Sequence, residues 1–294
     1  MIYGLIEELS PAYPIRVLCK VFGVSKSAYY DYANGKSGHI SDAKSDLREA
    51  VLAIFTQHKR RYGSRRIMLE LRAQGFEVGR DQVRSLMRQL SLQAIQPRSF
   101  VPRTTRSDPA RARSPNLLLD RKPLCRGLRE VIVGDITYWP AARDWLYLSV
   151  WMDLFSRRIL GWTIAEHMQA ELITKAFAKV LHHGQLDPGT IIHSDGGGQY
   201  KSGRFRELLR KHQLKQSMTR VDNHYDNAFI ESLFSRIKAE LMDQYPRFSD
   251  IRQAQIKLFE YIDGYYNTQR RHSSIGGISP IHFEHAYHRK TVDQ

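Results

Sequence analysis

Apolar residues recur at helical spacing through roughly the first ninety positions. Residues 15–33 (IRVLCKVFGVSKSAYYDYA) predict two short helices around Gly23-Val24-Ser25, with Ser25 as N-cap and Val17, Leu18, Val21 and Phe22 as the apolar side. Residues 44–58 carry Leu47, Val51, Ile54 and Phe55 on one stripe. Ser64 then caps a helix bearing Ile67, Met68 and Leu71, which Gly75 stops. After FEVG a further helix sets Arg80, Arg84 and Arg88 on one face and Val83, Met87 and Leu90 on the other. From about residue 129 the texture changes. Residues 130–139, 145–152 and 157–164 predict an antiparallel meander, 169–183 a helix, and 190–195 a fourth strand. GRFRELLRKHQ predicts a helix and KQSM a fifth strand. Helices follow at 225–242 and at 249–267, the latter opening at the cap Ser249. The expected class is α/β, a mixed five-stranded sheet flanked by helices, preceded by small all-α helix-turn-helix domains. Trp139, Trp145, Trp151 and Trp162 are expected in its core.

The charge is uneven. The 294 residues carry a net +15, with 22 basic and 11 acidic side chains in the first 124 positions against 23 and 19 in the rest. A basic excess confined to the N-terminal part points to a polyanion, nucleic acid above all. A solvated basic surface is the competing reading. The same choice applies to Arg80, Arg84 and Arg88, where no Glu four residues away neutralises the row. A packed back and an arginine front behind a glycine turn is how a recognition helix meets DNA. Residues 96–123 hold five prolines and seven basic residues without periodicity, a linker suited to lying along a phosphate backbone. Cys19 and Cys125 match neither a zinc spacing nor a disulfide framework. No apolar run reaches the roughly 18–20 residues of a membrane span, and the start lacks the apolar stretch of a signal peptide. A reduced, cytoplasmic setting is expected.

Three acids stand out by position. Asp135 interrupts an apolar strand, Asp195 ends TIIHSD before the triple glycine 196–198, and Glu231 lies on the long helix with 35 residues between it and Asp195. Isolated buried carboxylates are costly unless paired or bound to metal. With no His or Cys cluster nearby, oxygen ligands of this kind suit Mg²⁺ or Mn²⁺, and a pair of such ions supports phosphodiester chemistry. Taken singly, each acid also reads as a strand-end, turn or surface residue.

DITYW (135–139), HSDGGGQY (193–200), DNAFIESLFSRIKAEL (226–241), YNTQRRHSSIGGISP (266–280) and RRYGSRRIMLELRAQGFEV (60–78) together resemble the retroviral-integrase-like DDE transposases, most closely the OrfB proteins of the bacterial insertion-sequence-three family. The resemblance implies a ribonuclease H-like core over 128–285 with Asp135, Asp195 and Glu231 as catalytic metal ligands, two Mg²⁺ or Mn²⁺ ions per site. It implies helix-turn-helix units at 1–36 and 37–95, a linker at 96–127 and a tail at 286–294. The implied chemistry frees a 3′-hydroxyl at the element's end, which then attacks another phosphodiester; a copy-out, paste-in route is associated with the family. The implied setting is bacterial and nucleoid-associated. Partners would be double-stranded DNA at the terminal inverted repeats and target, further copies of the chain, and an OrfA protein, separate or fused. A DNA-binding regulator and a hydrolysis-only nuclease are the competing readings.

Further DNA contacts are expected from Arg65 and Arg66, from Asn227 one turn before Glu231, from Lys238 on the same helix face, and from Arg270 and Arg271 beside His272. Asn227 is alternatively a partner of the Glu231 carboxylate. Ser235 shares that face, Asp226 caps the helix, and His193 is as readily structural as functional. Three departures from the family stand out. The chain lacks a His-His-Cys-Cys zinc domain and an N-terminal heptad repeat, and glycine fills the centre of 196–198, where arginine is common. Replacing Arg80, Arg84 and Arg88 together by Ala should weaken DNA binding and flatten its salt dependence. An unchanged slope in a salt titration would return that helix to a solvated face.

Overall fold

The computed structural model describes residues 2–34, 42–97, 113–142, 144–183, 186–220 and 227–292. The chain gathers into two compact units, Met1–Gln93 and Ala94–Gln294. Among the described residues no helix is long and apolar enough to cross a membrane.

The first unit is all-helical. Helices α1 (Ile2–Leu9), α2 (Ile15–Val21) and α3 (Lys26–Ala33) share a small core of Ile6, Leu18, Cys19 and Tyr29. Ser25 caps α3 as expected, its Oγ accepting from the Ala28 amide at 3.1 Å. The expected apolar side of α2 is rotated. Leu18 and Cys19 point inward while Val17 and Val21 are exposed, Val21 by 73%. The cause is α1, whose Ile6 shares the core with Leu18 and Cys19. Helices α4 (Asp42–Gln57), α5 (Ser64–Ala73) and α6 (Arg80–Gln89) bury the expected Leu47, Val51, Ile54, Phe55, Ile67, Leu71, Val83 and Met87. Gly63, not Ser64, is the N-cap of α5. Gly75 ends that helix at φ +91°, with the Phe76 amide donating to Leu71 O at 3.0 Å. Arg80, Arg84 and Arg88 are all exposed, opposite Val83 and Met87.

The second unit is built on a five-stranded sheet: β1 (Val131–Pro140), β2 (Trp145–Asp153), β3 (Ile159–Ala165), β4 (Ile191–Ser194) and β5 (Lys215–Met218), in the order β3-β2-β1-β4-β5. The first three form the antiparallel meander, while β4 runs parallel to β1 and β5 parallel to β4. Helices α7 (Ala170–His183) and α8 (Gly203–Lys211) cover one face, closing a core of Ile132, Trp151, Phe177, Ile192 and Phe205. Gly134 is required there, because a Cβ would run into the Trp151 ring. Helix α9 (Ala228–Met242) packs on β1 and α10 (Ile251–Tyr261) on β3. Asp250, not Ser249, caps α10, accepting from the Gln253 amide at 2.8 Å. A π-helical turn, Ile262–Tyr266, continues α10, and α11 (Pro280–Val292) ends the described chain.

Four further expectations are corrected. Trp139, Trp151 and Trp162 are buried, but Trp145 opens β2 at 45% exposure, its ring edge-on to Tyr138. Residues 113–118 do not belong to a free linker. Leu117 N donates to Ser217 Oγ at 2.9 Å and Ser114 Oγ to Gln216 Oε1 at 2.8 Å, so this stretch lies along β5. Most of the linker, 98–112, lies outside the described residues. The expected tail is largely helix: α11 runs to Val292, and its buried Glu284 pairs with Arg158 at 2.6 Å. Ser156 Oγ stands 2.7 Å from Asp153 Oδ2 and 2.8 Å from Glu284 Oε1. One hydroxyl hydrogen cannot serve two carboxylates. Burial pushes the Asp153 carboxyl above its ordinary range, against the hydrogen bonds it accepts from the Ser156 hydroxyl and from the Ser156, Arg129 and Phe155 amides.

The fourth correction concerns Arg270, expected on DNA. It is 2% exposed, and its Nη2 meets Glu240 Oε1 at 2.6 Å while its Nε lies 3.1 Å from Oε2. Tyr261 Oη donates to the same carboxylate at 2.8 Å. Arg271 turns inward as well, donating from Nη1 to Gly277 O at 2.9 Å, and the buried His272 lies edge-on to the Tyr266 ring. Buried Glu240, an acid with no apparent apolar role in the sequence, claims the guanidinium. Arg270→Ala would strand Glu240 without its charge partner and should cost about 3–5 kcal/mol in urea unfolding. A surface DNA contact would instead leave stability almost unchanged.

Candidate active site

The parallel register of β1 and β4 sets the site. Gly134 is the partner of Ser194. Asp135 and Asp195, each one residue further, therefore come side by side where β4 ends and β1 runs on against β2. Both side chains are folded back onto local amides. Asp135 Oδ1 accepts from Ile136 N at 2.8 Å and Asp195 Oδ1 from Gly197 N at 2.9 Å.

Burial, then the charge of Asp195 and more weakly that of Glu231, pushes the Asp135 carboxyl well above the usual range. Burial also raises Asp195, against the pull of the Gly197 amide, Arg113 and Lys201. Lys238 answers from α9. Burial lowers its ammonium while Asp135 holds it up, and its Nζ stands 4.6 Å from the centre of the Tyr138 ring. Tyr200, buried behind the pair, is raised by burial and then by both aspartates. Its hydroxyl has no hydrogen-bond partner among the described residues.

Glu231 is exposed on α9, close enough to act on Asp135. Among the described residues, however, no three His, Cys, Asp or Glu side chains stand together as a ready metal cage. The aspartate pair is built in advance, and the third acid stands apart. Asn227 does not share the exposed face of Glu231. It occupies the cap of α9 at φ −116°, buried, with Oδ1 unpartnered among the described residues. Asp226 lies outside the described residues. Ser235 is exposed. His193 is structural, fully buried with Nδ1 2.8 Å from Ser217 Oγ. In the first unit Arg65 is exposed, while Arg66 lies over the Tyr62 ring at 5.6 Å. Sequence reasoning missed Lys201, Tyr200 and Tyr138. Each carried a signal in its place just after an aspartate, Tyr138 after Asp135 and the other two after Asp195.

The HTH-like domain family matches residues 42–100, and two Integrase core domain families match 128–224 and 212–280. The chain is 36% identical over 288 residues to the Transposase InsF for insertion sequence IS3A of Escherichia coli (strain K12), covering 97% of this chain and 98% of that protein. The chain belongs to the IS3 transposase family. This transposase is also 35% identical over 272 residues to the Insertion element IS600 uncharacterized 31 kDa protein of Shigella sonnei, covering 92% and 99% of the two chains. Among solved structures it is similar to the HTLV-2 integrase catalytic core domain in complex with magnesium (trimeric form), at 16% identity and a TM-score of 0.42 over 53% of this chain and 95% of that one.

The donor set of the IS3-family chain fits a hard divalent cation. Its oxygens are carboxylate only, two of them are held together against their own repulsion, and an orphan hydroxyl lies behind them. Raised carboxyls favour the neutral folded state. Their contribution to stability is full below the ordinary carboxylate range, roughly pH 4, and is lost as pH rises through the raised values. Without metal, Asp135→Asn should therefore melt above wild type at pH 7–8, with the gap closing toward pH 4. Mg²⁺ or Mn²⁺ should raise the wild-type melting temperature and leave the variant's unmoved. A variant less stable than wild type at every pH would refute the repulsion.

Proposed function

We propose that the chain binds the terminal inverted repeats of its insertion sequence and catalyses metal-dependent 3′-end cleavage and strand transfer. The observation that carries this reading is the enforced pairing of Asp135 and Asp195 at the mouth of β1 and β4. Asp135, Asp195 and Glu231 would hold Mg²⁺ or Mn²⁺, with two ions per site. Bound there, the metal supplies Lewis-acid activation of a phosphodiester and of the attacking oxygen.

The chain's own residues do the rest. A bound cation would relieve the repulsion between Asp135 and Asp195. Lys238, beside Asp135 and against the Tyr138 ring, presents positive charge toward a phosphate at the site. The exposed row Arg80, Arg84 and Arg88 gives the first unit a surface for the repeat, and Arg65 is exposed in the same unit. Arg270 and Arg271 stay with the scaffold. Joining two DNA ends calls for more than one copy in the complex, and an OrfA protein is the further partner that the family resemblance implies. The copy-out, paste-in route rests on that same resemblance.

The test is a labelled duplex ending in the source element's inverted repeat, incubated with protein and Mg²⁺ or Mn²⁺ and resolved on a denaturing gel. Nicked and joined strands are expected from wild type. Asp135→Asn, Asp195→Asn and Glu231→Gln should each lose both products while keeping DNA affinity. Near-full activity in any one removes that residue from the site. Binding without product in wild type would favour a DNA-binding regulator, and nicking without joining a nuclease.

A further inference from the structure

The stretch 113–118 does more than extend the sheet edge. Ser114 and Leu117 bond to β5 residues, and Met218 N donates to Pro115 O at 3.3 Å. These three bonds fix where Arg113 arrives. Its guanidinium packs directly on Gly196, the residue after Asp195, so closely that any Cβ at 196 would run into Nη2, Nε and Cζ. Its charge reaches Asp195, and its Nε is buried with no acceptor among the described residues. A buried guanidinium donor without an acceptor is expensive, whereas the Nε of Arg270 is satisfied by Glu240.

We propose that Arg113 is a phosphate-binding residue of the active site, delivered by the linker to the rim beside Asp195. The proposal rests on the transposase reading. Two aspartates repel the phosphodiester they must engage, and a planar guanidinium matches its oxygens in a way an ammonium does not. Gly196 is the counterpart of this arrangement: only a residue without a side chain leaves room for the guanidinium.

The experiment uses the full chain and a duplex carrying the element's terminal repeat. Log affinity is measured against log salt, and joining in Mg²⁺ is followed alongside. Arg113→Ala should reduce the salt slope by about 0.9, the value of one phosphate contact, and slow joining at least tenfold. Arg113→Lys should restore the slope but only part of the joining rate. Gly196→Ala leaves Arg113 in the chain and evicts its guanidinium, so it should reproduce Arg113→Ala. The double variant should be no worse than either single one. A purely structural role would lower the melting temperature and leave the slope alone. An unchanged slope, or losses that add in the double variant, overturns the proposal. The slope is read on binding, so it judges Arg113 even if wild type joins no DNA, the result that would instead sink the transposase reading.

Discussion

One parallel strand pairing governs this molecule. Because Gly134 and Ser194 are register partners, the next residue on each strand is an aspartate beside an aspartate. A one-residue slip would send one carboxylate to the opposite face of the sheet. The register is itself held by the packing behind it, where Trp151 fills the space that Gly134 leaves and stacks against Phe205. Close packing beneath the sheet thus maintains an electrostatic conflict at its edge, one that a bound cation would relieve.

Arginines show how the same residue type divides between tasks. Those on α6 face water opposite an apolar stripe. Arg270 has a buried acid waiting for it and is spent on the scaffold. Arg113 lies between these cases, close to a carboxylate yet, among the described residues, short of an acceptor for its Nε. The surroundings, not the local sequence, decide which of the three an arginine becomes.

The amphipathic stripes of α4 to α6, the meander and the strand-end position of Asp195 were all legible, because each depends on periodicity or on neighbours in sequence. What escaped depended on distant partners. Val21 looked like core until α1 took the other side of α2. Arg270 looked like a DNA contact because Glu240, thirty residues earlier, gave no sign of being buried. The linker's end looked free because its partners on β5 lie about a hundred residues away. Spacing named all three acids, but not the separation of Glu231 from the other two, since helix placement follows from packing on β1 rather than from a count of residues.

That separation acquires a direction from the clasp at the far end of α9. Glu240 is pinned by Arg270 and Tyr261, while Glu231 lies nine residues upstream, about 13 Å along the axis. The helix is a cantilever, fixed at its C-terminal root. Glu231 therefore sits near the N-terminal end of a helix whose other end is held by a buried ion pair.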